Sequence, residues 1–326
     1  MTHPANTLSL VADIGGTNTR CALAHGAKVL PDTVRRYANA EYPDLDTVLR
    51  AYLADEGGVE TVAACVAVAG PVRDGRATMT NLDWTMDRDT LQRATGAETV
   101  AILNDLQAQG HALADLHPAS VRPIIKGPES ADNSHAVRLV VGVGTGFNAA
   151  PVFETDMGRF VPPSESGHAS LPTRTDLERR LSQYVSTAHG FPAIEDVCSG
   201  RGLQRVYRFL AREAGEDRDL TGQEIMEAVA RGDDTCARDA AALFTRVLGT
   251  VCGNLALFQL PFGGVYLVGG VACALAPYLE EFGFAEAFRD KGRFAEFMDN
   301  FAVSVVEDDY AALLGCASHV THLRTA

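Results

Sequence analysis

Leu8-Ser9-Leu10-Val11-Ala12-Asp13-Ile14-Gly15-Gly16-Thr17-Asn18-Thr19-Arg20 is a short apolar run broken by an acid and two glycines. An apolar run that stops at Asp13-x-Gly15-Gly16-Thr17 reads as a strand entering a tight turn, where glycine permits positive φ and close approach by a ligand. The turn admits two readings. In one, the N–H groups of Gly15, Gly16, Thr17 and Asn18, with two small hydroxyls, form a nest for phosphate oxygens while Asp13 reaches Mg²⁺ through water. In the other, the same residues make a Gly-Gly hairpin with an Asx turn. This stretch alone does not separate them.

The rest of the chain narrows the choice. Its 326 residues exceed the ~250–300 residues that one hydrophobic core usually serves, so two domains are expected. Hydrophobic residues make up 46% and charged residues 21%, ordinary usage for a globular chain. Lys plus Arg number 28 against 42 Asp plus Glu, a net charge of −14. That balance argues against nucleic acid or an anionic membrane as a partner, and it leaves an anionic substrate to be held by local amides, Mg²⁺ and a few cations. The seven cysteines are scattered with no C-x-x-C pair, which indicates buried thiols in a reducing cytoplasm rather than disulfides or a zinc cluster. Met1-Thr2-His3-Pro4 lacks the basic and apolar regions of a secretory signal. From Val247 to Leu279 no residue is charged, but Pro261-Phe262-Gly263-Gly264 and Gly269-Gly270 divide the run into a buried helix, a turn, a strand and a helix start, not a membrane span.

Strands are expected at Cys21 to His25 and Lys28 to Leu30, across a turn at Gly26, then at Thr61 to Val68 and Val100 to Leu103, with a helix from Asp44 to Asp55. The pattern indicates an α/β domain with a mixed sheet. Arg138 to Val143 starts it again, an apolar run closed by Gly142-x-Gly144-Thr145-Gly146, so two halves of related design are expected to face one cleft. The second half is richer in helix, at Asp176 to His189, Leu203 to Ala214, Gln223 to Arg231 and Asp234 to Gln259, with Thr221 and Glu224 in capping-box spacing. Strands at Val265 to Val268 and Val303 to Val306 and a helix from Ala311 to Leu323 finish the chain.

Phe147 stands where a dinucleotide fingerprint needs glycine, and no Gly-Lys dipeptide occurs, which removes the Rossmann and Walker readings. Asn104-Asp105 ends a strand and opens a helix, where either residue serves as an N-cap and a carboxylate can also accept the proton of an attacking hydroxyl. Glu165-Ser166-Gly167-His168 has Glu-x-x-His metal spacing, but it occurs once, between Pro162-Pro163 and Pro172, so a long helix is not expected. It is either a solvated loop or a polar loop whose acid and imidazole bind vicinal hydroxyls. Glu195 is by default a surface acid.

In order, Asp13-x-Gly-Gly-Thr-Asn18, Thr80-Asn81, Asn104-Asp105, Gly144-Thr-Gly146, Glu165-x-Gly-His168, Glu195, Ser199-Gly200, Phe262 to Gly270 and Asp290-Lys-Gly-Arg293 resemble the bacterial ATP-dependent glucokinases of the non-ROK type, nearly end to end. The resemblance implies a two-domain ribonuclease-H-like, actin-like ATPase fold with an interdomain cleft, a smaller domain of residues 1–115 plus 303–326 and a larger one of 116–302. It implies that Asn104, Asp105, Glu165, His168 and Glu195 bind glucose, with Asp105 as base on the 6-hydroxyl. Asp13, Gly15, Gly16, Thr17, Gly144, Thr145 and Gly146 match its phosphate loops, with Asn18 in the same turn, and Gly269-Gly270 lies on the adenosine side. The implied cofactors are ATP and Mg²⁺, with no resident metal site, and the implied assembly is a cytoplasmic homodimer.

Four positions depart from the family pattern. Asn148 replaces a glycine, as a residue tolerant of positive φ. Ser166 replaces the first glycine of Glu-Gly-Gly-His and is expected to add a side chain beside the sugar. Arg201 replaces a proline, and Tyr310-Ala311 replace Pro-Gly. None removes a catalytic group. Rival readings are a ROK-type hexose or N-acetylhexosamine kinase, opposed by the absence of cysteine between His168 and Cys198, and a non-catalytic sugar sensor, opposed by Asp105.

Overall fold

The computed structural model describes residues 7–79, 82–128, 135–156, 158–187 and 189–325. The Thr80-Asn81 motif and Ala188, within the helix expected over Asp176 to His189, lie outside the described residues.

The opening run forms a strand, β1 (Leu8–Ile14), in which every residue but Asp13 is buried. A strand apolar on both faces needs cover on both, as in the middle of a layered α/β sheet. β1 pairs antiparallel with β2 (Asn18–His25), which continues into β3 (Lys28–Val29) and also carries β4 (Arg35–Ala38). The helix α1 (Leu45–Asp55) follows, N-capped by Asp44, whose carboxylate accepts the Thr47 N–H at 2.8 Å. β5 (Ala63–Val68) then lies parallel to β1. A small antiparallel sheet of β6 (Val72–Arg73), β7 (Arg76–Thr78) and β8 (Thr85–Asp87) precedes α2 (Arg88–Thr95). β9 (Thr99–Asn104), parallel to β5, leads into α3 (Asp105–Ala112). The sheet order is β3-β2-β1-β5-β9. Side chains alternate across it with a period of two. Leu10, Ala12 and Ile14 pack with Val48, Leu49 and Tyr52 of α1 and Leu91 of α2, while Val11, Ala63 and Cys65 pack on the other face with Ala108 of α3.

The second sheet repeats the plan. β10 (Val121–Ile125) is an antiparallel edge, β11 (Arg138–Val143) forms a hairpin with β12 (Phe147–Thr155), and β13 (Gly158–Phe160) follows at the far end of the order. The helices α4 (Asp176–Ser186), α5 (Gly200–Glu213), α6 (Gly222–Arg231) and α7 (Thr235–Gln259) come next. β14 (Val265–Val268), α8 (Gly270–Leu275), α9 (Phe284–Arg289) and β15 (Val303–Val306) complete it, in the order β10-β15-β14-β11-β12-β13. β11, β14 and β15 are parallel, as β1, β5 and β9 are. In each sheet a hairpin with a glycine turn opens a run of three parallel strands.

Thr221 and Glu224 form the expected capping box of α6, at 3.3 Å for Glu224 N–H to Thr221 Oγ1 and 2.8 Å for the return bond. α7 is long and apolar enough by length and composition to cross a membrane, but 61% of its apolar window is buried, with Phe244, Leu248 and Val251 in the core of this unit. The uncharged run divides where glycine and proline predict, and Leu260, at φ 48°, ends α7.

The chain closes with α10 (Ala311–Thr325), whose Leu313, Cys316 and Ala317 join Ala108 and Cys65 in one cluster. Two compact units result, Met1–Pro118 with Glu154–Pro163 and Asp308–Ala326, and Ala119–Phe153 with Ser164–Glu307. The division differs from one drawn at 115 and 303. Val303–Val306 belongs to the second unit because it pairs with β10 and β14. Glu154–Pro163 belongs to the first because the Arg159 side chain, 5% exposed, is held there by Glu154 at 2.7 Å and Asp115 at 3.3 Å.

Candidate active site

The first glycine turn is a hairpin. Gly15 N–H donates to Asn18 O at 3.0 Å, and neither Gly15 nor Gly16 adopts a left-handed backbone, so the expected positive φ is absent. Asn39, which no sequence signal marked, braces the turn. Its Nδ2 donates to Gly15 O at 2.8 Å, its Oδ1 accepts from Thr19 Oγ1 at 2.8 Å, and its N–H donates to Thr17 O at 2.9 Å. Because the Gly15 amide is spent inside the turn, Gly16 and Thr17 are the residues exposed at its tip. Asp13 lies at the end of β1, opposite Arg20 in register, with 3.9 Å between carboxylate and guanidinium. Burial raises the Asp13 pKa and Arg20 opposes that rise.

At the end of β9 the two candidate N-caps take different jobs. Asn104 is the cap: its Oδ1 accepts the Leu106 N–H at 2.9 Å, while Gln107 Oε1 accepts the Asn104 N–H at 3.0 Å in a capping box. Its Nδ2 donates to Gly70 O at 3.0 Å, which ties β9 to the turn after β5. Asp105, first residue of α3, accepts the Leu106 N–H at 2.8 Å and is exposed. Desolvation by the surrounding protein, opposed by the Leu106 bond and reinforced by the charge of Asp13, raises its pKa to about 6. An accessible carboxylate poised near neutrality suits proton abstraction.

In the second unit the glycine turn between β11 and β12 is closed by Gly144 N–H to Gly146 O at 3.0 Å, and Gly200 N–H, at the start of α5, donates to Gly144 O at 2.8 Å. Glu195 is not a free surface acid, since its Oε2 accepts the Phe147 N–H at 2.9 Å. Glu165 and His168 lie on a 3₁₀ turn, about two-thirds exposed, with carboxylate and imidazole 4.0 Å apart. Gly167 between them is required by close approach, because a Cβ there would stand 2.1 Å from Phe147 O. At Phe147, the first residue of β12, the structure brings together the Glu195 carboxylate and Gly167, which lies between Glu165 and His168. Asn148 lies in β12 and not at positive φ. Ser166 turns its hydroxyl to Asn148 Oδ1, at 3.2 Å, so that hydroxyl is occupied by the protein itself.

Gly269-Gly270 ends β14 and opens α8. Beside it lies a cavity of about 590 Å³ between α5, α6 and α8, lined by Gly200, Leu203, Gly222, Met226, Gly270 and Val271. The contribution of α6 was invisible in sequence, where Thr221 and Glu224 marked only a helix start. Among the described residues no group of three or more His, Cys, Asp or Glu is placed to hold a metal ion.

Two sheets of one plan, each opening on a glycine hairpin, are the framework of the actin-like ATPase fold, and the relatives of the chain make it an ATP-dependent hexose kinase of that fold. The chain belongs to the glucokinase family, whose model matches residues 10–323. A glucokinase of Saccharophagus degradans is 32% identical over 318 residues, covering 96% of this chain and 98% of that protein. A glucokinase structure from an Antarctic psychrotroph superposes with a TM-score of 0.86 at 29% identity, covering 96% of this chain and 98% of that one. A ROK hexokinase from Thermus thermophilus, at a TM-score of 0.70 and 21% identity over 98% of this chain and 99% of that one, shares the fold. The glucokinase assignment therefore displaces the ROK alternative.

Proposed function

We propose that the chain transfers the γ-phosphoryl group of ATP to the 6-hydroxyl of glucose, with Asp105 as the general base. The observation that carries this is the state of Asp105. It is accessible at the end of β9, the capping box of α3 rests on Asn104 and Gln107, and desolvation pushes the Asp105 pKa up to about 6. Asp105 takes the 6-hydroxyl proton as the oxygen bonds to the γ-phosphorus, and the bond from that phosphorus to the β,γ-bridging oxygen breaks to release ADP. Asn104, Glu165, His168 and Glu195 hold the sugar hydroxyls, Glu195 through the oxygen that Phe147 does not use. Gly16, Thr17 and Asn18 of the first turn and Gly144, Thr145 and Gly146 of the second receive phosphate oxygens, and the cavity beside Gly269-Gly270 receives the adenosine.

Mg²⁺ fits this donor set. It usually binds through one or two carboxylates plus substrate phosphates rather than an all-protein cage, and Asp13, a partly exposed carboxylate at a strand end, is such a donor. When bound, it neutralises charge on the phosphate oxygens. The proposed assembly is a cytoplasmic homodimer. The net charge of −14 supports small-molecule substrates over nucleic acid or membrane partners.

A coupled ADP-release screen over glucose, mannose, fructose, glucosamine and N-acetylglucosamine tests the proposal. Turnover is expected to be highest on glucose. Binding without turnover on any hexose would instead favour the sugar sensor.

The pH profile follows from the sign of the Asp105 shift. The base must be ionised, so kcat/KM for glucose is expected to fall as the pH drops through about 6. Asp13→Asn, which also lowers the rate by removing the Mg²⁺ donor, takes away a negative neighbour and is expected to move that limb to lower pH. A profile flat down to pH 5 would contradict the assignment.

A further inference from the structure

Ser164 and Ser166 flank Glu165, and one side chain holds both. Asn148 Nδ2 donates to Ser164 O, while its Oδ1 accepts from Ser166 N–H at 3.0 Å, from Ser166 Oγ at 3.2 Å and from Ala149 N–H at 2.8 Å. An amide oxygen offers two lone pairs, so this acceptor is fully engaged. Asn148 is itself fixed, lying opposite Gly142 in the β11–β12 ladder. Its neighbour Phe147 binds Glu195 through its N–H and packs Gly167 against its carbonyl. Besides this tie, the Glu165 carbonyl accepts the His168 N–H at 3.2 Å and its carboxylate lies 4.0 Å from the His168 imidazole. Glu165 is about two-thirds exposed, and its backbone, at φ −133° and ψ 47°, is neither helix nor strand.

We infer that Asn148 is a positioning residue for Glu165, with Ser166 as its side-chain partner, and that this strut fixes the Glu165 carboxylate relative to Glu195 and so sets the affinity for the sugar. The inference rests on the proposed function, in which both acids bind sugar hydroxyls. Glycine at 148 or 166 would leave no side chain to make the tie. Ordering the turn before the sugar arrives lowers the entropy that binding must overcome.

Steady-state kinetics of wild type, Asn148→Ala, Ser166→Ala and the double variant test it. Asn148→Ala is expected to raise KM for glucose about ten-fold, the size of a lost orienting hydrogen bond, with kcat and KM for ATP little changed. Ser166→Ala is expected to raise KM about three-fold alone and to add nothing in the Asn148→Ala background. Asn148→Asp keeps the acceptor for Ser166 and is expected to recover part of the affinity, and with Ser166→Ala it reads the strut even if Asn148→Ala does not fold. Multiplying single effects, an unchanged KM for glucose or an equal rise in KM for ATP would overturn the inference. Amide exchange separates it from the proposed function. In Asn148→Ala, or Asn148→Gly, the Ser166 N–H should lose protection while the Phe147 N–H keeps it, whether or not the wild-type protein phosphorylates a hexose, and unchanged Ser166 protection would refute the strut.

Discussion

Asp105→Asn is expected to lose about 10²–10⁴-fold in kcat while still binding glucose, the range spanned by removal of a positioned general base. The separation of effects follows from local geometry. Asn104 carries the capping box of α3, so substitution at 105 leaves the helix start intact. Asparagine also keeps an oxygen that can accept the Leu106 N–H. What disappears is the group that takes the proton. The variant should also be the more thermostable of the two near pH 7–8. The folded-state pKa of Asp105, about 6, lies above the ordinary carboxylate value of about 3.9, so its ionised form costs stability that grows between those values and is complete above the upper one. Asparagine removes that cost, and the difference should fade as the pH falls toward 4. A kcat near that of wild type would exclude Asp105 as the base, whatever the stability result.

The largest effect on stability is expected from Gly315→Ala. Gly315 lies on α10 against the backbone of α3, and a Cβ added there would stand 1.7 Å from Ala108 O and 3.1 Å from Ala112 N. Backbone atoms inside a helix cannot rotate aside as a side-chain tip can, so α10 must lift from α3 or α3 must shift. Overpacking of this kind costs on the order of 3 kcal/mol, which for a unit of this size lowers the melting midpoint by roughly 6–12 °C. Trp84, the single tryptophan, is 6% exposed in the core of the first unit, so its fluorescence reports melting of the unit that holds the α3–α10 contact. Because Asp105 opens α3, a shift of that helix should also lower kcat. An unchanged midpoint would mean that the two helices have room the geometry denies.

The elements legible in sequence were those whose signal is local. β1, β5, β9, β11 and β14 are apolar runs stopped by glycine, asparagine or aspartate, and α1 and α6 announce their starts with Asp44 and with Thr221 and Glu224. The strands that escaped notice lack that signal. β10 carries Arg122 and exposed Pro123, as an edge strand allows. β12 carries Asn148 and Pro151 and is specified by its pairing with β11. The three strands of the small sheet are two or three residues each, and half of their residues or more are not buried. α5 begins at Gly200, earlier than its apolar face suggests, because Ser199 caps it by accepting the Gly202 N–H.

The same division holds for the site. Asp13, Asp105 and the two glycine turns were visible because chemistry and punctuation coincide in a few consecutive residues. Asn39 was not, because its partners Gly15 and Thr19 lie at least twenty residues away and a lone asparagine in a short turn has no pattern. Likewise the tie from Asn148 to Ser164 and Ser166 exists only once β12 has met the following loop. The division of labour between Asn104 and Asp105 also required geometry, since either residue suits a cap by type.

The most direct test of the central claim is product analysis. Purified protein is incubated with ATP, Mg²⁺ and glucose, ADP is quantified, and the sugar product is examined by ³¹P and ¹H NMR. Glucose 6-phosphate equal in amount to ADP, formed by wild type and nearly absent with Asp105→Asn, is the predicted result. ADP without a sugar phosphate, phosphate on a hydroxyl other than the sixth, or equal product from the variant would contradict it.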